Sequence, residues 1–149
     1  MVTLTKTLVI SSLLVLTGLS NTLQANNTDL IQAKEGSLKQ VMQGLLIDTQ
    51  QLTKAMLMED FKTIETLANN IANHPKPSLA TRMTLMKAMG KEMANFKSND
   101  DVVHGAAVAM AKNANQQDLK AIAKNFQTMI GGCISCHSEF KTKVAAILK

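Results

Sequence analysis

The sequence predicts an all-α protein, an up-down-up-down four-helix bundle, and three observations support this prediction. Ala, Leu, Lys, Met and Gln, which are strong helix formers, dominate the chain after its first 25 residues. No stretch shows the alternation of apolar and polar residues that is typical of a half-buried β-strand. Apolar residues instead recur three and four positions apart in four main segments with short connections, the pattern of antiparallel helices in a bundle.

The first 25 residues are interpreted as a secretory signal peptide. Lys6 precedes a short uncharged apolar run, TLVISSLLVLTG, and a polar stretch with small residues follows. This order is typical of an export signal, and the run is shorter than the ~20 residues that a membrane-spanning helix needs. We prefer cleavage after Ala25, with cleavage after Ser20 as the alternative and an uncleaved membrane anchor as the competing interpretation. Residues 26–149 then form one domain of ordinary size.

Charge and aromatic content argue against a nucleic-acid partner. The net charge of +5 is modest, Arg82 is the single arginine, and Tyr and Trp are absent. Proteins that bind nucleic acids usually concentrate basic residues on one face, and many stack bases on aromatic rings. We therefore expect no nucleic-acid binding.

The first helix is predicted over residues 29–56 and the second over residues 60–73. The apolar positions of the first are Leu30, Leu38, Val41, Met42, Leu45, Leu46, Leu52 and Met56. Those of the second are Phe61, Ile64, Leu67, Ala68 and Ile71. The segment HPKPS ends the second helix because proline cannot continue it. Ser78 is predicted to cap a shorter helix, LATRMTLMKAMGKEM.

The segment FKSND, residues 96–100, is predicted to be a loop. Asp100 or Asp101 would then cap a third main helix that ends near Asn113. Asn115, followed three residues later by Asp118, resembles a capping box for the fourth main helix.

The fourth main helix carries the clearest pattern. Its apolar residues alternate three and four positions apart: Leu119, Ile122, Phe126, Met129, Cys133, Cys136 and Phe140, continued by Val144 and Ile147. This is the spacing of a helix face packed in a bundle. Both cysteines of the chain therefore belong to the predicted core face.

Those cysteines occur in GGCISCHSEF, where His137 directly follows Cys136. Residues three and four apart share a helix face, so Cys133, Cys136 and His137 point roughly the same way. Two thiols can each add to a haem vinyl group while the imidazole binds the iron, which is why C-x-x-C-H predicts covalent haem. Two glycines inside a helix, Gly131 and Gly132, cost about 1 kcal/mol each relative to alanine. A flat ligand close to the backbone would explain them, and a kink or break in the helix is the alternative.

Other uses of the two cysteines fit less well. A thioredoxin-like dithiol lies at a helix N-terminus, where the helix dipole lowers the thiol pKa, whereas Cys133 is preceded by about four turns of the predicted helix. A structural zinc site usually needs four ligands, and His74 and His104 belong to other segments. A disulfide within one helical turn would be strained. The sequence thus predicts one haem c.

A C-x-x-C-H motif near the C-terminus of a four-helix chain resembles the class II c-type cytochromes, the cytochrome c′ group. In that family an Arg-Gln pair on the first helix lies near the haem edge, and here Lys39 and Gln40 stand there. An aromatic residue and an arginine often follow the haem histidine, where this chain has Phe140 and Lys141. Lysine keeps the charge but loses the bidentate contacts of arginine.

The export signal predicts a periplasmic location, and the motif predicts that Cys133 and Cys136 attach the haem with His137 as the proximal ligand. Phe126, two turns before Cys133, is a predicted pocket residue, and the resemblance adds Lys39, Phe140 and Lys141. Leu38, Met42 and Leu45 are the inward residues of the first helix near the family's distal place, and only Met42 can bind iron through its thioether. Met42 is therefore the candidate distal ligand.

Two functions follow from the resemblance. We prefer electron transfer with periplasmic redox partner proteins, and the alternative is binding or sensing of a small gas such as NO or CO at the iron. Neither is an enzymatic reaction, and the sequence offers no catalytic motif of the common hydrolase or nucleotide-binding kinds. A homodimer through the first two helices is a further implication. A third interpretation is a structural protein, a haem-free helical bundle with a stabilising disulfide.

The remaining candidates receive structural interpretations. His74 is assigned to a loop, and His104 is placed in the first turn of a helix, where it is a weaker candidate for contact with the haem. Six methionines are interpreted as core residues: Met83, Met86, Met89, Met93, Met110 and Met129.

Overall fold

The computed structural model describes residues 35–149, whose regular structure is entirely helical. The helices are α1 (Leu38–Leu57), α2 (Phe61–Ala72), α3 (Leu79–Met89), α4 (Met93–Asn115) and α5 (Leu119–Ile147), and a 3₁₀ turn (Gly90–Glu92) joins α3 to α4. The predicted all-α class is confirmed, with α1, α2, α4 and α5 as the four main helices. The predicted signal peptide lies outside the described residues.

Four helices begin at a side chain that accepts a hydrogen bond from the backbone three residues later. These N-caps are Ser37, Asp60, Ser78 and Asp118. Each satisfies one of the backbone N–H groups that a helix start leaves without a partner. The predicted bounds of the second helix and the cap at Ser78 are confirmed.

The start of α1 differs from the prediction. Residues 35–37 are not helical, and α1 begins at Leu38 instead of continuing a helix from residue 29. Gly36 has a φ of 69°, a left-handed conformation that interrupts a helix and favours glycine. Its carbonyl accepts a hydrogen bond from the Ser78 N–H at 2.8 Å, which ties the start of α1 to the start of α3.

The predicted loop FKSND is wrong, because these residues lie inside α4. Phe96 packs edge-on against Phe140 with 5.6 Å between ring centroids, and this burial favours helix over a solvated loop. Asp101 is not a cap but pairs with Lys97 one turn earlier at 2.6 Å. His104 consequently lies in the middle of α4 and not in a first turn.

The capping box at Asn115 is also wrong. Asn115 is the last residue of α4, and its amide donates to Glu65 on α2 at 3.0 Å. Asp118 is itself the N-cap of α5 and accepts from the Ala121 N–H.

Contacts between helices fix the antiparallel order. α2 and α4 run antiparallel, since His104 contacts Ala72 while Asn115 contacts Glu65. α4 and α5 do the same, since Lys143 near the end of α5 pairs with Glu92 just before α4 at 2.7 Å. Backbones pack closely in the pairs α1–α2, α2–α4 and α4–α5, whereas among the described helices the α1–α5 pair is not one of close backbone packing. Side chains of α1 and α5 still meet in both apolar clusters, so this side of the described bundle is more widely spaced rather than empty, and we refer to it as the open side.

The described core consists of two apolar clusters. The main cluster joins the four long helices and has fourteen buried residues, including Leu52, Ile64, Met110, Ile122 and Met129. The second cluster has four buried residues, Leu85, Met89, Phe140 and Val144. In this cluster α3 packs against the start of α4 and the end of α5. Met83 and Met86 are half exposed on α3, so their assignment to the core was wrong, whereas Met89, Met110 and Met129 are buried as predicted. No helix among residues 35–149 is long and apolar enough to span a membrane.

Candidate haem-binding site

The C-x-x-C-H motif lies in the middle of α5, which runs unbroken through it. Both thiols are half-buried, and the Cys136 side chain packs against the second cluster. The imidazole of His137 is exposed. Burial raises the pKa of the Cys133 thiol, and burial together with the Asp100 carboxylate raises that of Cys136. Both thiols therefore remain protonated near neutral pH, which argues against a reactive dithiol.

The motif coincides with the break between the two apolar clusters. On α5, Met129 is the last buried residue of the main cluster and Phe140 the first of the second. Cys133, Cys136 and His137 occupy the interval. A large flat apolar group attached at the two thiols would lie at this interval and continue the core from one cluster to the other. The side chains present fit a haem.

The two glycines before the motif have different surroundings. A Cβ built on Gly132 would lie 2.9 Å from Cγ2 of Val103 and 3.2 Å from Cγ1 of Val102, both on α4. A Cβ on Gly131 would meet no atom within 4 Å. Gly132 is thus explained by the close approach of α4 and not by a helix break, since α5 is continuous here, and no protein atom of the described residues lies near a Cβ on Gly131.

The helix α1 forms the other wall of the open side. Leu38 packs against the second cluster and Leu45 against the main cluster, so the flank of α1 that carries both faces the interval on α5. Met42 lies one turn after Leu38 on the same flank and is 36% exposed. The start of α1 packs with the end of α5 in the second cluster, and the end of α1 packs with the start of α5 in the main cluster, so the two helices run antiparallel. Met42, one turn after Leu38, is therefore level with the part of α5 just before Phe140. Its role as distal ligand stays a prediction.

The other predicted pocket residues lie at different depths. Phe126 is partly buried against the main cluster, and Phe140, at 1% exposed, is a core residue of the second. Lys39 and Lys141 are exposed on α1 and α5. Their contact with a haem stays a prediction.

A polar pair that the sequence did not predict, His74 and Asp100, lies where the loop after α2 meets α4. His74, in the loop after α2, faces Asp100 of α4, with Nε2 and Oδ1 3.6 Å apart. Sequence reasoning assigned His74 to loop structure and Asp100 to a helix cap. No local pattern could reveal the pair, because its members are brought together only by the antiparallel packing of α2 and α4.

Two cavities meet at this loop. The larger, about 760 Å³, lies between α1 and the end of α2 and includes Gln40, Gly44 and Asp48. The smaller, about 360 Å³, includes Asp100 and His104. They share Asn73, His74 and Lys76, so the loop after α2 separates two spaces between the helices. Within residues 35–149, no group of three or more His, Cys, Asp and Glu side chains is arranged to hold a metal ion without a prosthetic group.

Comparison with known proteins agrees with this geometry. The family described as Cytochrome C' matches residues 24–141, a segment that contains the motif and the four long helices up to Lys141. No curated protein and no solved structure is significantly similar to the chain. Since the matched segment is well over half of the sequence, the chain belongs to the Cytochrome C' family.

Proposed function

We propose that the protein is an exported c-type cytochrome that transfers electrons through one covalently attached haem. The observation that carries the proposal is the C-x-x-C-H motif on one face of α5, with half-buried thiols at the break between two apolar clusters. Membership of the Cytochrome C' family implies haem c, and members of that family are typically periplasmic. Haem supplies a reversible one-electron change at its iron, which no protein side chain in the site offers.

The chain's own residues have distinct roles in this proposal. Cys133 and Cys136 hold the haem through thioether bonds, and His137 is the proximal ligand. Met42 is the proposed distal ligand, since it lies on the flank of α1 that faces α5. Phe126 and Phe140 flank the motif one to two turns away and shield the site from water. Lys39 and Lys141 supply exposed positive charge on the two helices that border it.

Binding of a small gas is the second candidate function. It is favoured by the open side of the bundle, where α1 and α5 are not closely packed and Met42 is partly exposed. Such a gap leaves room for a diatomic ligand on the distal side if the thioether does not bind. The two functions are distinguished by the coordination of the iron.

The proposed partners are periplasmic redox proteins, and no enzymatic reaction is proposed. Dimerisation through the first two helices is supported by exposed apolar side chains on α1, where Leu46 is 54% and Leu57 84% exposed. Sedimentation equilibrium of the haem-loaded protein tests it, and a monomer at all concentrations would contradict it.

A single intact-mass measurement tests attachment and export together. Protein recovered from the periplasm of cells that mature c-type cytochromes should have the mass of residues 26–149 plus one haem. The haem should also stay with the protein on acid-acetone extraction, because thioether bonds resist it. Cys133→Ala and Cys136→Ala should each weaken attachment, whereas Ser135→Ala, between them, should not. A mass that includes Met1 would contradict cleavage of the signal peptide and favour the membrane anchor. Complete loss of haem on extraction would contradict covalent attachment.

A further inference from the structure

We propose that the His74–Asp100 pair is a proton-binding site coupled to the haem, so that His74 takes up a proton when the iron is reduced. This inference rests on the proposed function, and it adds that uptake of an electron by the haem is accompanied by uptake of a proton by the protein. The site lies where the loop after α2 meets α4, on the border of the 360 Å³ cavity.

Both ring nitrogens of His74 face hydrogen-bond acceptors. Nδ1 lies 3.1 Å from the carbonyl oxygen of Pro75, which can only accept, so Nδ1 carries a proton. Nε2 lies 3.6 Å from Oδ1 of Asp100, an ion-pair distance slightly longer than a direct hydrogen bond. A neutral ring has one proton for two acceptors, whereas the imidazolium has one for each. The arrangement therefore stabilises the charged ring.

The contact between His74 and Asp100 shifts the pKa of both side chains. The Asp100 carboxylate, with a smaller effect of the Pro75 carbonyl, raises the pKa of His74 against the opposing effect of burial. His74 in turn lowers the pKa of Asp100. The His74 side chain is 21% exposed and Asp100 55%, so protons exchange freely with solvent while the pair keeps its geometry.

His104 provides a natural comparison in the same cavity. Its Nδ1 donates to the carbonyl oxygen of Ala72 at 2.8 Å, a bond that a neutral ring makes fully. The two histidines thus border the same cavity but differ in their partners, since His74 pairs with a carboxylate and His104 bonds a backbone carbonyl.

Asp100 connects this pair to the haem motif. Its negative charge raises the pKa of the Cys136 thiol, so its field reaches the sulfur to which a haem vinyl group would be joined. The preceding residue, Asn99, also lies against α5, with its carbonyl oxygen 3.5 Å from a Cβ built on Gly132. The turn of α4 that holds Asp100 is therefore packed directly on the turn of α5 that holds the motif.

The proton affinity of His74 and the reduction of the haem are coupled through the electrostatic interaction between their charges. The oxidised haem carries one more positive charge than the reduced haem, and a cation near it disfavours oxidation. When the iron accepts one electron from a redox partner, neutral His74 binds one proton from water and becomes the imidazolium. On oxidation the electron leaves to the partner and the proton returns to water. By linkage the reduction potential falls as pH rises through the titration of His74.

Other charged groups surround the His74–Asp100 pair, and the experiment must distinguish their titration from that of His74. Glu35 and Asp48 lie across the larger cavity, Lys76 borders both cavities, and Lys97 and His104 act on Asp100. Carboxyl groups ordinarily titrate near pH 4 and lysines near pH 10.4, outside the window of a histidine. Burial raises the pKa of Asp48, so this residue and His104 are the two alternatives that the experiment controls.

The test is the reduction potential of the haem-loaded protein, measured from about pH 5.5 to about pH 9, a range that spans histidine titration. The wild-type potential should decline in the part of this range above the ordinary histidine pKa. His74→Asn should abolish that decline, and Asp100→Asn should move it to lower pH. His104→Asn and Asp48→Asn should retain it. A decline that is unchanged in His74→Asn would overturn the proposal.

A second measurement does not depend on a variant. The ring proton signals of His74, followed by NMR in the wild-type protein, should give a lower pKa in the oxidised than in the reduced state. Equal values in the two states would contradict the coupling but leave electron transfer standing. A haem that cannot be reduced and reoxidised reversibly would contradict the proposed function itself.

Discussion

At the scale of single residues, the two proposed functions differ in whether Met42 binds the haem iron. Met42 shares a flank of α1 with Leu38 and Leu45, both packed inward, and this flank faces α5 across the open side of the bundle. A thioether opposite the histidine gives a six-coordinate, low-spin haem and raises its potential.

Replacing Met42 by alanine should therefore convert the haem from low-spin to high-spin. The oxidised wild-type protein should show the weak far-red band of methionine-to-iron charge transfer, and Met42→Ala should lack it and bind carbon monoxide rapidly. Met83→Ala is the matched control, because Met83 is exposed on α3 and should leave the spectrum unchanged. Wild-type protein that is already high-spin and binds carbon monoxide rapidly would favour the gas-binding function.

At the scale of helices, Gly132 sets how closely α5 approaches α4 beside the motif. A Cβ at this position would be within 2.9 Å of a branched Val103 side chain, which cannot swing aside as a long flexible chain can. Gly131 has the same place in the helix but faces open space. An alanine substitution at Gly131 therefore reports the effect of helix propensity alone, whereas the same substitution at Gly132 also reports the effect of packing against α4.

The substitutions Gly131→Ala and Gly132→Ala should thus have opposite effects on the free energy of unfolding. Gly131→Ala should stabilise the protein by about 0.5–1 kcal/mol, the gain in helix propensity. Gly132→Ala should lose about 1–3 kcal/mol to overpacking, less that gain. Urea unfolding of the haem-loaded variants measures both. Equal stabilisation by the two substitutions would show that α4 and α5 separate without cost.

The helices also show what local sequence can and cannot reveal. The bounds of α2 and the continuous face of α5 were predictable because their apolar spacing, caps and proline stop agree. The start of α4 was not, because FKSND looks like a cap and loop while Phe96 is held in a helix by Phe140, 44 positions away in the chain. The start of α1 depends on a left-handed Gly36 whose carbonyl binds Ser78. Both reasons are tertiary.

The residues of the candidate site also fall into those that local sequence could place and those that depend on tertiary packing. Cys133, Cys136 and His137 could be placed on one face because they lie within two turns of one helix. The His74–Asp100 pair could not, since it needs the register between α2 and α4. Gly132 was noticed for its helix cost, but the reason for it, the valines of α4, becomes visible only when the two helices are packed.

At the scale of the whole molecule, the interval between the two apolar clusters indicates how the haem contributes to stability. The main cluster has fourteen buried residues from the four long helices, and the second has only four. The second cluster is also the one that holds α3, whose Leu79, Met83 and Met86 are more than half exposed. A haem at Cys133 and Cys136 would join the two clusters into one core.

Without haem, the end of the molecule that contains α3 should therefore open more readily than the rest. In the double variant Cys133→Ser/Cys136→Ser, which cannot attach haem, amide hydrogen exchange should be fast in α3 and in α5 after Phe140. Exchange should remain slow in α2 and in the middle of α4, which the main cluster buries. The haem-loaded wild type should protect both regions, because the small cluster then shares a core with the large one. Equal protection of both regions in the double variant would mean that the second cluster is stable alone, and that haem attachment is not what holds the two ends of the bundle together.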